Sequence, residues 1–323
     1  MLNTEETPYR TRIRRLARTT ALLICSLGVV TLPAQAEQSG PITFGAPNWP
    51  GVTVKTEVAS QILEGLGYET ETIKAETAII VNSIAQKKVH AALGLWRPSQ
   101  NGIIDPVIER GEAIELTANI EDARYQSAVP KYVWDAGVRS MADLAQHAEK
   151  FDRKLYGIEA GSVGNEIVSN AIKANTYGLK GWQVVPSSTP GMLSQVERAV
   201  SRDEWIVFNG WQPHWMNVKF DMKYLADPEG IWGKKSTVYT IVHPDFVDES
   251  PNVARFLKQM VVPKAVQSQW ILEYGYNDRS SDDVAREWIA ANKDIVAGWV
   301  EGVTNAAGDR SATETLAEQF GGE

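Results

Sequence analysis

Strand-like and helix-like segments alternate along the first third of this chain, and that order is the strongest constraint on its fold. Residues 42–46 are predicted to form a buried strand, and residues 52–66 a helix that ends before Gly67. The alternation continues with strands at 68–73 and 90–96 and helices at 78–88 and 103–110. A β-α-β-α order predicts a mostly parallel sheet with helices on both faces.

The same pattern begins again after Tyr125, which predicts a second lobe. Strands are expected at 128–134, 154–158, 182–186 and 205–208, and helices at 163–174 and 191–201. One more strand, 237–242, precedes a C-terminal block of helices at 252–260, 264–274 and 281–300.

A block with so few strands is expected to return to the first lobe, so that two chain crossings, near 120–126 and 230–237, join the lobes. We therefore predict an α/β fold in which each lobe is a mostly parallel sheet flanked by helices. Lobe 1 would comprise residues 37–125 and 237–323, and lobe 2 residues 126–236.

The first 36 residues have the pattern of a secretory signal. Five arginines between Arg10 and Arg18 precede the apolar run ALLICSLGVVTLP, and Ala-Gln-Ala follows at 34–36. A positive region, a short apolar core and an A-x-A site predict a cleaved signal peptide over 1–36 and a periplasmic location. An uncleaved anchor is the alternative, although the apolar run is short for a membrane span.

Cysteine content and charge exclude several classes of function. The single cysteine, Cys25, lies within the predicted signal, and Ile24 before it does not suit lipidation. The remaining chain then has neither disulfides nor thiolate sites. The signal holds five of the 32 basic and two of the 40 acidic residues, which leaves a formal net charge of −11 after its removal. Such a surface repels nucleic acid and anionic lipid.

No catalytic motif is recognisable, so neither a metal nor a cofactor is predicted and the chain is not expected to be an enzyme. The four histidines lack the spacing of metal ligands. Ser162 lies in Ala160–Gly164, but Ala160 stands where a nucleophile elbow requires glycine. Because carboxylate pairs cannot be recognised from spacing, a secreted hydrolase of a choline or betaine derivative remains an alternative.

Two strands end in the same way, with a tryptophan followed two residues later by a proline. These corners are Trp96-Arg-Pro and Trp211-Gln-Pro, and each proline would suit the first turn of a helix. Ligands of open α/β sheets bind beyond the carboxyl ends of the strands. Trp49 follows the first strand, and Tyr125 lies at a proposed crossing. We therefore expect these four rings to border one cleft.

A converging set of aromatic rings suits a quaternary ammonium ion, which cannot donate hydrogen bonds. Ring faces stabilise such a cation by roughly 0.5–2 kcal/mol each. On position alone, ordinary core packing is an equal alternative for the four rings. By contrast, Trp270, Trp288 and Trp299 lie in the predicted C-terminal helices and are expected to pack in the core.

The chain resembles the substrate-binding proteins of the glycine betaine/choline/proline-betaine ABC importers, over essentially all residues after 36. The matching segments are Asn48–Trp49, Leu93–Pro98, Ala123–Tyr125, Gly157–Asn165 and Val207–Pro213. The resemblance implies a two-lobed periplasmic binding protein of type II that closes like a Venus flytrap. It also implies a cation cage of Trp49, Trp96, Tyr125 and Trp211.

Two departures from the family bear on the ligand. Choline binders of the family carry an aspartate where this chain has Gly51, and an asparagine where it has Ser162. In betaine binders the glycine-rich segment supplies amides to the ligand carboxylate, here those of Val163 and Gly164. Free N–H groups at a helix N-terminus suit that role, although simple chain reversal is the alternative.

The resemblance thus implies a periplasmic receptor that binds glycine betaine or a related betaine and delivers it to an ABC permease in the inner membrane. Ser162, Asn165, Gly51 and Gln100 complete the predicted polar set around the ligand. A monomer without nucleic-acid partners is expected. Choline or carnitine as the main ligand remains an alternative.

Overall fold

The computed structural model describes residues 40–233 and 235–320, and the predicted signal peptide over 1–36 lies outside them. The strands are β1 (Ile42–Ala46), β2 (Thr70–Lys74), β3 (Ala91–Arg97), β4 (Ile114–Pro130), β5 (Lys154–Tyr156), β6 (Gln183–Val185), β7 (Phe208–Gln212), β8 (Met222–Tyr224) and β9 (Ser236–Val242).

The helices connect these strands and cover them, and the last five form the C-terminal block. They are α1 (Pro50–Gly65), α2 (Thr77–Ala85), α3 (Asn101–Glu109), α4 (Lys131–Asp135), α5 (Val163–Lys173), α6 (Thr189–Val200), α7 (Met216–Lys219), α8 (Phe246–Glu249), α9 (Pro251–Gln259), α10 (Lys264–Gly275), α11 (Ser281–Ala291), α12 (Lys293–Trp299) and α13 (Ala312–Gln319).

Strand β4 is the longest strand of the described chain and pairs with several others. The strand order is β2-β1-β3-β9-β4-β7-β5-β6, with β8 also paired to β4. The first part of β4 is antiparallel to β9, and its last part is antiparallel to β7 and β8. One continuous strand therefore links the sheet of β1, β2 and β3 to the sheet of β5, β6 and β7.

The two outer groups of strands are parallel, as the β-α-β alternation predicts. Strand β1 is parallel to β2 and β3, and β5 is parallel to β6 and β7. The pairings of β9 and β4 are antiparallel. The described strands therefore form a mixed sheet in which each parallel group has antiparallel strands at one side.

Several boundaries differ from the sequence prediction, and the strand expected at 205–208 is Phe208–Gln212. The strand expected at 128–134 is the end of β4, which begins at Ile114, and Lys131–Asp135 is helical. From Ile114 to Glu121 apolar and polar residues alternate, and the sequence prediction assigned no strand there, yet this segment is the first part of β4 and pairs with β9. The helix expected at 281–300 is two helices, because the chain leaves helical geometry at Asn292.

Buried side chains form separate clusters on the two sides of the crossing strands. Two clusters draw on segments before residue 124 and after residue 237, and the other two draw mainly on residues between 128 and 232. Ile271 of α10 is the exception, because it packs with Trp215 and the residues around α6. The predicted lobe boundaries themselves stay a prediction.

Within residues 40–233 and 235–320, no helix combines the length and the apolar character that a bilayer crossing requires. No group of three or more potential metal ligands occurs among the same residues.

The expected packing role of three C-terminal tryptophans gives a test of the core. Trp288 stacks on Trp299 with ring centroids 5.4 Å apart, and it meets Trp270 edge-on at 4.9 Å. We expect Trp288→Ala to lower the free energy of unfolding by about 3–5 kcal/mol, measured by urea denaturation, because a large cavity is left. Val218→Ala, at a side chain that is 74% exposed, is the control. A loss below about 1 kcal/mol would contradict the packing role.

Candidate functional site

A cavity of about 70 Å³ lies between the sheet strands and α10. This is several times the roughly 10–15 Å³ that one water molecule requires, so the cavity can admit a small solute. Its lining consists of Trp49, Gly51, Val52, Lys55, Leu93, Gly94, Trp96, Ser99, Gln100, Ile120, Tyr125, Ile158, Ser162, Val163, Gly164, Trp211, Pro213, Val238, Gln267 and Ile271. Nine of the ten predicted site residues belong to this lining, and Asn165 is the one that does not.

Tyr125 is the central ring of the four. Its ring centroid is 6.1 Å from that of Trp96 and 6.0 Å from that of Trp211. The second contact follows from strand register, since Tyr125 of β4 lies directly opposite Trp211 of β7 and cross-strand partners share one face of a sheet. Trp49 lines the same cavity from the end of β1. The four rings that were expected to border one cleft therefore all line this cavity.

Trp49 and Trp96 are fixed by backbone contacts at the ends of their strands. Trp49 is the N-cap of α1, and its carbonyl accepts the first helical hydrogen bond from Thr53 N at 3.0 Å. Trp96 N donates to Gln100 Oε1 at 2.7 Å, and Gln100 N donates back to the Trp96 carbonyl at 2.9 Å. Gln100 therefore lines the cavity, but its side-chain oxygen Oε1 is engaged in holding Trp96.

The two tryptophan corners share a feature that the sequence did not reveal. The Arg97–Pro98 and Gln212–Pro213 peptide bonds are both cis. The expectation that each proline occupies the first turn of a helix is wrong, because α3 and α7 begin three residues after their prolines. The chain makes a tight turn at each proline before the helix starts.

The glycine-rich segment ends in an ordinary helix cap. Gly161 has φ of +81°, and Ser162 is the N-cap of α5, with its hydroxyl accepting from Asn165 N at 3.4 Å. Val163 and Gly164 are the first two helical residues, and N–H groups in those positions have no intrahelical acceptor. Because both residues also line the cavity, their amides are available to a bound anion.

Gly164 packs directly against the central ring. A Cβ atom on Gly164 would lie 1.8 Å from Tyr125 Oη and 2.6 Å from Tyr125 Cζ. No side chain fits there unless the tyrosine ring moves. This close approach places the N-terminus of α5 next to the aromatic rings.

Asn165, predicted as a ligand residue, lies outside the cavity lining. Its side-chain oxygen accepts from Ile158 N at 3.0 Å and Asn209 Nδ2 at 3.2 Å. Its side-chain nitrogen donates to the carbonyls of Ile158 at 2.8 Å and Glu159 at 3.0 Å. The side chain is thus fully engaged in holding the segment between β5 and α5.

Sequence reasoning missed the rings that support the cage. Trp232 is 2% exposed and lies 5.0 Å from Tyr125 between ring centroids. The His214 ring meets Trp211 at 4.9 Å, and burial lowers the pKa of His214 to about 3, so it is neutral. Only the position of His214 directly after a tryptophan corner could have suggested its role.

Two polar residues of the lining were also missed. Lys55 of α1 is 2% exposed, and its Nζ donates to Asn119 Oδ1 at 2.6 Å and to the Leu93 carbonyl at 3.3 Å. Gln267 of α10 is 3% exposed, and its Oε1 has no hydrogen-bond partner in the described chain. The four-residue spacing from Gly51 to Lys55, one turn along α1, could have indicated that Lys55 faces the same cavity.

Comparisons with known proteins identify the family and the fold of the chain. The protein-family model for the substrate-binding domain of ABC-type glycine betaine transport systems matches residues 40–291. The glycine betaine/carnitine transport binding protein GbuC of Listeria monocytogenes is 34% identical over 162 residues, which are 50% of this chain and 53% of GbuC. The match therefore spans about half the length of that relative.

Two solved structures share the fold over most of their length. An ABC-transporter choline-binding protein in complex with choline superposes with a TM-score of 0.84 at 29% identity, covering 87% of this chain and 98% of that one. Lactococcal OpuAC in its closed conformation with glycine betaine gives a TM-score of 0.73 at 25% identity, covering 81% and 99%. The predicted two-lobed α/β fold is confirmed, and the chain belongs to the family of substrate-binding proteins of ABC-type glycine betaine transport systems.

Proposed function

We propose that this protein binds a betaine-type zwitterion, with the trimethylammonium group among Trp49, Trp96, Tyr125 and Trp211. The ligand carboxylate would face the backbone amides of Val163 and Gly164. The observation that carries the proposal is the position of Tyr125, whose ring lies between two tryptophans and whose hydroxyl meets Gly164. A site for a methylated cation and a site for an anion are therefore within the span of one small solute.

The lining contains no aspartate or glutamate. A choline hydroxyl would lack the carboxylate that choline binders of the family provide, since Gly51 stands at that position. The Ser162 hydroxyl already accepts a hydrogen bond from Asn165 N. These features favour a ligand with its own carboxylate over one with a hydroxyl.

Choline is the second candidate, because one group in the cavity favours it. The unpartnered Gln267 Oε1 is a hydrogen-bond acceptor. A ligand hydroxyl could donate to this oxygen in place of the missing aspartate.

The protein would act as a receptor rather than an enzyme. Closing of the two lobes would bury the solute, and an ABC permease in the inner membrane would recognise the closed form. We propose a periplasmic monomer that releases its ligand chemically unchanged.

Removal of either corner tryptophan tests the cage. We expect Trp96→Ala and Trp211→Ala each to weaken glycine betaine binding by about 1–3 kcal/mol, because a cation–π contact and its packing are lost. Isothermal titration calorimetry measures the affinity, and NMR of the recovered ligand shows whether it is intact. Trp134→Ala, a tryptophan outside the lining, is the control. Unchanged binding in both cage variants, or turnover of the ligand, would contradict the proposal.

The contact between Gly164 and Tyr125 gives a second test. Gly164→Ala must displace the Tyr125 ring and should lower glycine betaine affinity about tenfold or more, which is at least about 1.4 kcal/mol. Gly102→Ala is the control, since a Cβ atom there meets nothing within 4 Å. If the Gly164→Ala variant binds glycine betaine as tightly as the unchanged protein does, the N-terminus of α5 does not contact the ligand.

A third test restores the missing aspartate. A Cβ atom on Gly51 would lie 2.6 Å from Gln267 Nε2, so Gln267 must move to admit a larger residue. We expect the pair Gly51→Asp with Gln267→Ala to shift the betaine-to-choline affinity ratio toward choline about tenfold or more, through a new carboxylate contact. Gln267→Ala alone separates the effect of added space. An unchanged ratio in the double variant would show that position 51 does not face the ligand.

A further inference from the structure

Lys55 is a charged side chain in the lining of a cavity that otherwise suits a cation. It is 2% exposed, and the two oxygens that accept from its ammonium, Asn119 Oδ1 and the Leu93 carbonyl, are neutral. Asn119 in turn donates to the Leu93 carbonyl at 3.0 Å and to Thr240 Oγ1 at 2.9 Å. Lys55 therefore belongs to a buried polar cluster without an acidic member.

Across the described parts of the chain, no carboxylate lies within ion-pair distance of Lys55. Acidic residues on nearby elements interact with other basic side chains. Arg97, beside Trp96, pairs with Asp105 and Glu115. The charge of Glu57 of α1 interacts with Lys74 and raises the pKa of that lysine. Among the described residues, therefore, no ion pair compensates a positive charge on Lys55.

Few other ionisable groups border the site. Tyr125 is the other titratable residue of the lining, and burial raises its pKa well above the ordinary value. The charge of Glu159 also raises the pKa of Tyr125, and Glu159 Oε1 accepts a hydrogen bond from Thr189 N at 2.8 Å. His214 behind Trp211 is neutral. Of the two titratable residues in the lining, Lys55 is therefore the one whose charge changes between pH 6 and 9.

We propose that the Lys55 ammonium sets the charge specificity of the site, repelling a solute with net positive charge and admitting one that carries a compensating carboxylate. The inference rests on the proposed function and names the property that separates betaines from choline. Because Lys55 is buried, its repulsion of a second cation is less screened than it would be in bulk solvent. A built-in repulsive group is a common source of specificity.

The same geometry makes the selectivity depend on pH. Burial lowers the pKa of Lys55 to about 7, so its charge is present below that pH and is lost as the pH rises. If only the neutral form accepts choline, its apparent affinity should rise about tenfold between pH 6 and pH 9. A zwitterion has no net charge and should respond much less. By linkage, choline binding near pH 7 should release protons.

The experiment titrates the purified protein with choline chloride and with glycine betaine at pH 6, 7, 8 and 9 by calorimetry. Two buffers of different ionisation enthalpy at pH 7 give the sign of proton exchange. We expect proton release with choline and a choline affinity that rises with pH. In Lys55→Met, choline should bind at pH 6 about as it binds the unchanged protein at pH 9. Lys74→Met, at a lysine outside the lining, should keep the original pH dependence.

The unchanged protein alone can overturn the inference, so it does not depend on the folding of Lys55→Met. Constant choline affinity between pH 6 and 9, or proton uptake on choline binding, would refute it while betaine binding still supports the proposed function. Equal choline-to-betaine ratios in the Lys55 and Lys74 variants would refute it as well. If neither solute binds, the proposed function and the inference both fail.

Discussion

The antiparallel pairing of β4 with β7 is the constraint on which the candidate site depends. That register sets Tyr125 opposite Trp211, and the hydroxyl of the same tyrosine meets Gly164 at the start of α5. Trp96, on a strand of the other parallel group, also contacts this ring. A single tyrosine thereby connects aromatic surface from both halves of the sheet with the free amides of one helix.

The aromatic residues of the cavity lining were expected partly from predicted strand ends and partly from the family resemblance, although Tyr125 and Trp211 lie within β4 and β7. Strand ends are visible in the sequence as apolar runs that stop at turn residues, and the ends of neighbouring strands meet at one edge of a sheet. The supporting residues have no such signature. Trp232 and His214 contact the cage rings only because the chain turns back on itself after β7 and before β9.

The polar chemistry of the cavity was harder to foresee. A lysine within a helix is ordinarily a surface residue, and Lys55 is buried because α1 is buried on most of its sides. Gln267 lies more than 200 residues after Gly51, so no local pattern links them. The first part of β4 is a different case, because apolar and polar residues alternate from Ile114 to Glu121 and this local strand signal was overlooked.

The shared strand β4 has a mechanical consequence. Its ladder with β9 is irregular at three places, the last between Ile120 and Ala123, just before the residue that carries the central ring. Interrupted ladders bend and twist more readily than regular ones. Bending of β4 at this point would tilt Tyr125 and so change the distance between its ring and the tryptophans on either side. Separation of the two lobes and separation of the aromatic rings would then occur in the same motion.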